Sequence, residues 1–157
     1  KIMRIRKFQR KDTIAVALII RNTFKKFNSK EYFKKDALKT YLNHYDPKLN
    51  SEEKLYSNFQ RTSIFYVAEE NNQIVGLIRG IPERIVNLFV DKNQHKKGIG
   101  KKLVLKFENE AKKYVDKINI RSSLYASSFY EKMGYKKTTG IRNFRGLKVS
   151  PMKKVLN

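Results

Sequence analysis

The stretch Leu88-Phe89-Val90-Asp91-Lys92-Asn93-Gln94-His95-Lys96-Lys97-Gly98-Ile99-Gly100-Lys101-Lys102-Leu103 holds the residue types and spacing best suited to chemistry. An apolar, strand-like run gives way to a polar loop, and two glycines then open a helical pattern. Glycine there lets backbone N–H groups converge and an anion approach closely, while the unpaired N–H groups of a first helical turn supply positive potential. Lys96, Lys97, Lys101 and Lys102 flank that point and add long-range attraction. This arrangement suits the holding of a pyrophosphate. It is not a Walker A loop, because the Gly-Lys-Ser/Thr ending is missing. It also lacks the third glycine of the dinucleotide-binding fingerprint, which opens a first βαβ unit. Taken alone, Gly-x-Gly is weak evidence and more often marks a plain tight turn.

Other chemistries are excluded by composition. The chain has 157 residues and no cysteine, which removes disulfide scaffolds, thiolate zinc sites and cysteine nucleophiles. Its two histidines, His44 and His95, lie far apart without a cluster of acids, so no metal site is expected. Lys and Arg number 36 against 14 Asp and Glu, a formal net charge of +22. Such a surplus favours anionic partners: nucleic acid, a phosphorylated co-substrate or an acidic membrane face. The longest apolar run, Ile14 to Ile20, is seven residues, against the ~20 needed to span a bilayer. No leader pattern opens the chain, so a cytoplasmic protein without membrane attachment is expected. Lys1 and Ile2 precede the first methionine, Met3.

Several elements must position the glycine loop. Ile5 and Phe8 suggest a first strand. Asp12 is placed to cap a helix with Ile14, Ala17, Leu18, Ile20 and Phe24 at helical spacing, ended by Asn28-Ser29. A second helix is expected from Lys30 to about His44, and Ser51-Glu52-Glu53 reads as a short helix start. The period then changes. Ser63 to Glu69 and Gln73 to Arg79 read as a hairpin turning at Asn71-Asn72, and Arg84 to Val90 follows a Gly80-Ile81-Pro82 connection. Ile99, Leu103, Phe107, Ala111 and Tyr114/Val115 mark one face of a long helix. Lys117 to Ile120 is a fifth strand, and Leu124 to Met133 a helix ended by Gly134. Tyr135 to Thr138 and Leu147 to Val149 are expected to form a last pair of strands. The fold class is α/β, strictly an α+β mixed sheet with helices on its faces.

A strand, a loop ending in Arg/Gln-x-x-Gly-x-Gly/Ala and an amphipathic helix resemble the acetyl-CoA signature of the GNAT superfamily of N-acetyltransferases. Tyr125-Ala126-Ser127-Ser128-Phe129-Tyr130-Glu131-Lys132-Met133-Gly134-Tyr135 resembles the family's A-x-x-F-Y-E-K-x-G-F segment. The likeness runs from about Phe65 to Tyr135. It implies one N-acetyltransferase domain over residues 1–157, with a central twisted mixed sheet and acetyl-CoA as co-substrate. It further implies an acetyl group moved to a primary amine by direct attack.

The resemblance also implies roles for particular residues. The pantetheine arm would pair with the backbone of Leu88, Phe89 and Val90 as an added strand. The pyrophosphate would sit on the amides of Lys96, Lys97, Gly98, Ile99, Gly100 and Lys101. His95 stands where the family usually has Arg or Gln, and its imidazole can still donate one hydrogen bond. The Val90 N–H would meet the tetrahedral oxyanion, and Tyr130 would protonate the departing thiolate. Tyr130 is also placed to pack beside Phe129. Ser123 and Ser127 would contact the co-substrate or cap a helix, and Arg121 would reach a phosphate or stay solvated. Relatives often carry a Glu base in the fourth strand. Here Val86 and Asn87 occupy that place, the nearest acid is Glu83, and the base is unassigned.

Two other classes fit parts of the sequence. A non-catalytic acyl-CoA-binding regulator would keep the loop and lose the acid. A basic nucleic-acid-binding module would explain the charge, yet the lysines spread from Lys1 to Lys154 and no nucleic-acid-reading motif is present, so no specific nucleic-acid partner is expected. The acceptor, a small molecule or a protein amine, is not readable. A strand edge near the C-terminus would allow a homodimer.

Overall fold

The computed structural model describes residues 3–91 and 98–157. Strand β1 (Met3–Lys7) leads through a 3-10 turn (Arg10–Asp12) into α1 (Thr13–Phe27), α2 (Lys35–His44) and α3 (Glu52–Phe59). Then come β2 (Ile64–Glu70), β3 (Gln73–Ile81), β4 (Arg84–Val90), α4 (Ile99–Ala111), β5 (Lys117–Ser122) and α5 (Ser127–Lys132). Strands β6 (Lys136–Lys137), β7 (Arg142–Phe144) and β8 (Leu147–Val155) complete the order. The sheet runs β1-β2-β3-β4-β5-β8-β6, with β7 also on β8. Only β4 and β5 are parallel, which makes it the mixed α/β sheet expected.

Two apolar layers sandwich the sheet. On one face α1 and α3 bring Val16, Ile20, Leu55 and Phe59 onto Phe65, Val67 and Leu77. On the other, α4 and α5 bring Leu103, Phe107 and Tyr130 onto Tyr66, Ile78, Ile85 and Ile118. The alternation of β2 is responsible: Phe65 and Val67 face α1 while Ile64, Tyr66 and Ala68 face α4. No helix among the described residues is long and apolar enough to cross a membrane.

Local signals place several boundaries where the sequence puts them. Asn71 and Asn72 both adopt left-handed backbone, φ 53° and 63°, as a two-residue hairpin turn requires. The Ser51 hydroxyl accepts the Lys54 N–H at 3.1 Å and caps α3.

Other expectations are corrected by long-range partners. Asp12 does not cap α1. Its carboxylate accepts the Gln9 N–H at 2.8 Å and both Arg6 amino groups at 2.8 and 2.9 Å, so it closes the preceding turn. The buried face of α1 carries Val16 and Ile19, and Leu18 is 40% exposed. Helix α2 starts at Lys35 rather than Lys30, because the Phe33 and Lys34 N–H groups donate to Gly146 O. Tyr114, assigned to the buried face of α4, lies beyond its end and is 69% exposed.

Strand β3 continues through Gly80 and Ile81, leaving Pro82-Glu83 as the turn. A Cβ at Gly80 would stand 2.1 Å from Arg84 O, so the crossing there admits only glycine. The hairpin partner of Leu147 to Val149 is β7, and β8 runs on to Val155 as the neighbour of β5. Helix α5 covers Ser127–Lys132 only, the residues just ahead of it forming a capped turn.

Candidate functional site

The site is built where β4 and β5 separate. Strand β4 pairs with β3 from Arg84↔Ile81 to Val90↔Gly76, but with β5 only at Arg84↔Asn119 and Ile85↔Ile120. Between Arg79↔Asn87 and Gly80↔Ile85 the register shifts, so Val86 bulges and is 42% exposed. A bulge bends the strand and ends local pairing. Beyond it, Leu88, Phe89 and Val90 are half-buried and pair with no residue of β5. The Asp91 N–H donates to Val75 O at 2.8 Å. Antiparallel alternation then turns the N–H groups of Leu88 and Val90 away from β3, into the opening.

Helix α4 begins beside that opening. Gly98 has φ +74°, which a side chain resists, and no side chain among the described residues caps the helix. The α4 N-terminus thus offers the backbone N–H groups of a first helical turn and the positive end of the helix dipole. The second glycine brings α4 close to its neighbours. A Cβ at Gly100 would sit 3.4 Å from the Phe129 ring and 3.9 Å from Val90 Cγ2. The end of β4, the start of α4 and α5 therefore converge. Ile99 is buried beneath this point and Lys101 is exposed. His95, Lys96 and Lys97 lie outside the described residues.

Tyr130 lies on α5, 3% exposed, with ring contacts to Phe129 at 5.3 Å and Tyr135 at 5.5 Å. Burial alone pushes its ionisation far above the ordinary tyrosine range, so the hydroxyl keeps its proton at neutral pH. The Ser123 hydroxyl accepts the Ala126 N–H at 3.1 Å, and the Ser127 hydroxyl donates to Leu124 O at 3.0 Å. Both serines shape the turn before α5. Arg121 lies with its guanidinium over the Phe144 ring at 4.4 Å.

The other face of β4 holds a polar network that residue types alone did not reveal. Arg79 is 4% exposed, and its Nε donates to Asn87 Oδ1 at 2.7 Å. The Asn87 amide donates to the Tyr41 hydroxyl at 3.4 Å. Arg79 lies over the Phe59 ring at 5.0 Å, and desolvation lowers its basicity. His44 sits in contact with this group through Asn58 Nδ2, 3.2 Å from its Nε2. Burial and the surrounding cations hold His44 below the usual histidine range. The signal for the network was a lone cation inside the apolar β3 run. Sequence reasoning placed it at the strand's end. Among the described residues, no cluster of His, Asp or Glu is arranged to hold a metal ion.

Three comparisons bear on this geometry. The model of the acetyltransferase (GNAT) domain family matches residues 23–156. No curated protein matches the chain. Among solved structures, the GCN5-related N-acetyltransferase (aminotransferase, class-II) of Rhodopseudomonas palustris superposes with a TM-score of 0.81 at 17% identity, covering 99% of this chain and 97% of that one. The PaiA N-acetyltransferase of Thermoplasma acidophilum, solved in complex with coenzyme A, gives 0.76 at 21% identity, with 99% of each chain covered. A GNAT-family acetyltransferase of Staphylococcus aureus Mu50 gives 0.71 at 21%, covering 99% of this chain and all of the other. At such identities the likeness is one of fold.

Proposed function

This chain belongs to the GNAT acetyltransferase family, and on that premise we propose that residues 1–157 form one N-acetyltransferase domain, which moves an acetyl group from acetyl-CoA to a primary amine. The observation that carries the reading is the separation of β4 from β5 after Ile85, beside the α4 N-terminus at Gly98. An extended thioester arm needs an open strand edge, and its pyrophosphate needs converging N–H groups. Both lie within reach of Gly100.

Acetyl-CoA supplies an activated acyl carbon. Leu88, Phe89 and Val90 would hold its arm, and the backbone of Gly98, Ile99, Gly100 and Lys101 would take the phosphates. Ser123 and Ser127, at the turn before α5, would border the same ligand. The Val90 N–H, turned toward the opening, is placed to stabilise the oxyanion as the amine attacks. The amine nitrogen bonds to the acetyl carbon, the carbon–sulfur bond breaks, and one amine proton ends on sulfur. Tyr130, protonated at neutral pH, is our choice of donor to the thiolate. Asn87 holds the β4 position where a carboxylate base would stand, and it cannot accept that proton. Removal of the amine proton therefore falls to water in the Asn87–Tyr41–His44 region.

Two measurements test this. Calorimetry with acetyl-CoA should show saturable binding. A panel of primary amines with acetyl-CoA should include at least one that releases free thiol faster than buffer does. Absence of heat at millimolar acetyl-CoA would overturn the reading.

A further inference from the structure

Three arginines of the fold have acidic partners. Arg4 meets Glu69 at 2.9 Å, Arg6 meets Asp12 at 2.8 Å and Glu69 at 3.1 Å, and Arg21 meets Asp46 at 3.6 Å. Seven make no ion pair among the described residues: Arg10 lies over the Tyr56 ring and Arg142 Nε donates to Thr139 Oγ1, and the other five are Arg61, Arg79, Arg84, Arg121 and Arg145.

These five form a connected band. Arg121 on β5 and Arg145 in the β7–β8 turn both lie on the Phe144 ring, at 4.4 and 5.0 Å. Desolvation, and after it the charges of Arg84, the first residue of β4, and of Arg145, lower the basicity of Arg121. Arg145 also acts on His44, together with Arg79, Lys54 and Arg61. Glu83, next to Arg84 in sequence, borders a different cleft with Lys112 and Lys117.

Compositional bias does not account for the band. The chain has 26 lysines and 10 arginines, and half the arginines are these five. Lysine supplies bulk charge, whereas arginine presents the planar fork that grips carboxylate and phosphate in a bidentate manner. Nor does the acyl donor account for it. The α4 N-terminus, proposed to hold the donor's phosphates, belongs with the face on which Ile118 and Ile120 pack. Arg121 follows Ile120 and so points to the opposite face. That second face carries Asn87, Arg79 and α1–α3, beside the point where β4 and β5 part.

We propose that the acceptor is a small anionic amine, one bearing a carboxylate or phosphate besides its amino group, gripped by Arg121 and Arg145 with Arg79 as the positive floor beneath Asn87. This rests on the acetyl-transfer reading and names its substrate class. The ligand's anion supplies the counter-charge that the fold withholds, and its amine is thereby aimed at the opening.

The test uses the full chain and matched amine pairs, O-phosphoethanolamine against ethanolamine and β-alanine against propylamine. Thiol release should give the anionic member of at least one pair a kcat/KM about tenfold or more above its neutral partner, a gap that narrows as salt screens the charges. The variants are Arg121→Gln and Arg145→Asn, the latter chosen because Asn tolerates the left-handed backbone at 145, φ 54°. Each should pull that ratio towards one while acetyl-CoA affinity stays within about threefold. A second arm needs no turnover. With CoA saturating, succinate or inorganic phosphate should raise the Tm of the wild type and lose that effect in the variants, whose own Tm reports their folding. Preference for neutral amines or polyamines, or equal anion stabilisation of wild type and both variants, would overturn the proposal. So would oligonucleotide binding that outcompetes both small anions at physiological salt. Should anions bind through Arg121 and Arg145 while acetyl-CoA binds and no amine is acetylated, the transfer reading fails, and the acceptor assignment with it, while the anion site stands.

Discussion

The Glu31 carboxylate accepts the backbone N–H of Leu124 at 2.8 Å, across 93 positions of sequence. Its second oxygen accepts the Tyr125 N–H at 2.9 Å, and Asn28 Nδ2 donates to the first at 3.2 Å. One side chain thus fastens the α1–α2 loop to the turn before α5. The same loop is held from the other side, where Lys148 N–H donates to Glu31 O at 3.0 Å. Glu31→Ala leaves two backbone donors without their acceptor, at a cost of about 1–3 kcal/mol. Glu31→Gln should lose less, since its amide oxygen still accepts one of them. Urea denaturation of the two variants checks the order, and equal stability of Glu31→Ala and wild type would refute it.

Tyr130→Phe keeps the ring against Phe129 and Tyr135 and removes only the hydroxyl. It should fold normally and bind acetyl-CoA within a few-fold of wild type. With an accepted amine, kcat should fall roughly 10²-fold, or about tenfold if the thiolate leaves readily without a proton. Turnover at the wild-type rate with chemistry limiting would make Tyr130 a packing residue.

Gly98→Asp should abolish measurable acetyl-CoA binding. It places a carboxylate where the phosphates belong and forces a side chain into backbone at φ +74°. Gly98→Ala separates these effects. It has open space around its Cβ, so it should cost stability of about 1 kcal/mol through backbone strain and weaken binding far less. Calorimetry on the three proteins gives the ranking, and an unaltered affinity in Gly98→Asp would remove the α4 N-terminus from the site.

His44 carries a pH dependence of stability. Its folded-state pKa lies below the unfolded value of ~6.5, so the unfolded chain binds the proton first as pH falls. The stabilisation is present above about pH 6.5 and is lost as pH drops through the folded-state pKa. His44→Gln has no proton to take up at this position. Wild type should therefore lose more stability than His44→Gln over that window in parallel thermal melts. Identical profiles would show that the ring titrates as it does in the unfolded chain.

Specific oligonucleotide binding is not expected despite the charge. Anisotropy with several duplexes and single strands should show weak, sequence-independent binding that falls steeply with salt, as phosphate neutralisation dictates. Nanomolar, sequence-dependent affinity at physiological salt would contradict the enzyme reading.

Short-range signals made the centre of the fold legible. The Asn71-Asn72 turn, the Ser51 cap, the β4 run and the glycines at 98 and 100 each act over a few residues, so residue type and spacing alone placed the elements from β2 to α4. Asp12, Glu31 and Arg79 have meaning only through distant partners. A sequence gives Asp12 a helix to cap, and the folded chain gives it Arg6. It gives Glu31 a place in a helix, while its carboxylate is spent on Leu124 and Tyr125. Arg79 reads as a strand end, and pairing of β3 with β4 buries it on Asn87. The widening between β4 and β5 is of the same kind, because neither strand's residues record where its neighbour departs. Local hydrogen bonds and steric preferences act within a few positions, whereas burial and electrostatics depend on what the sheet brings together across tens of residues.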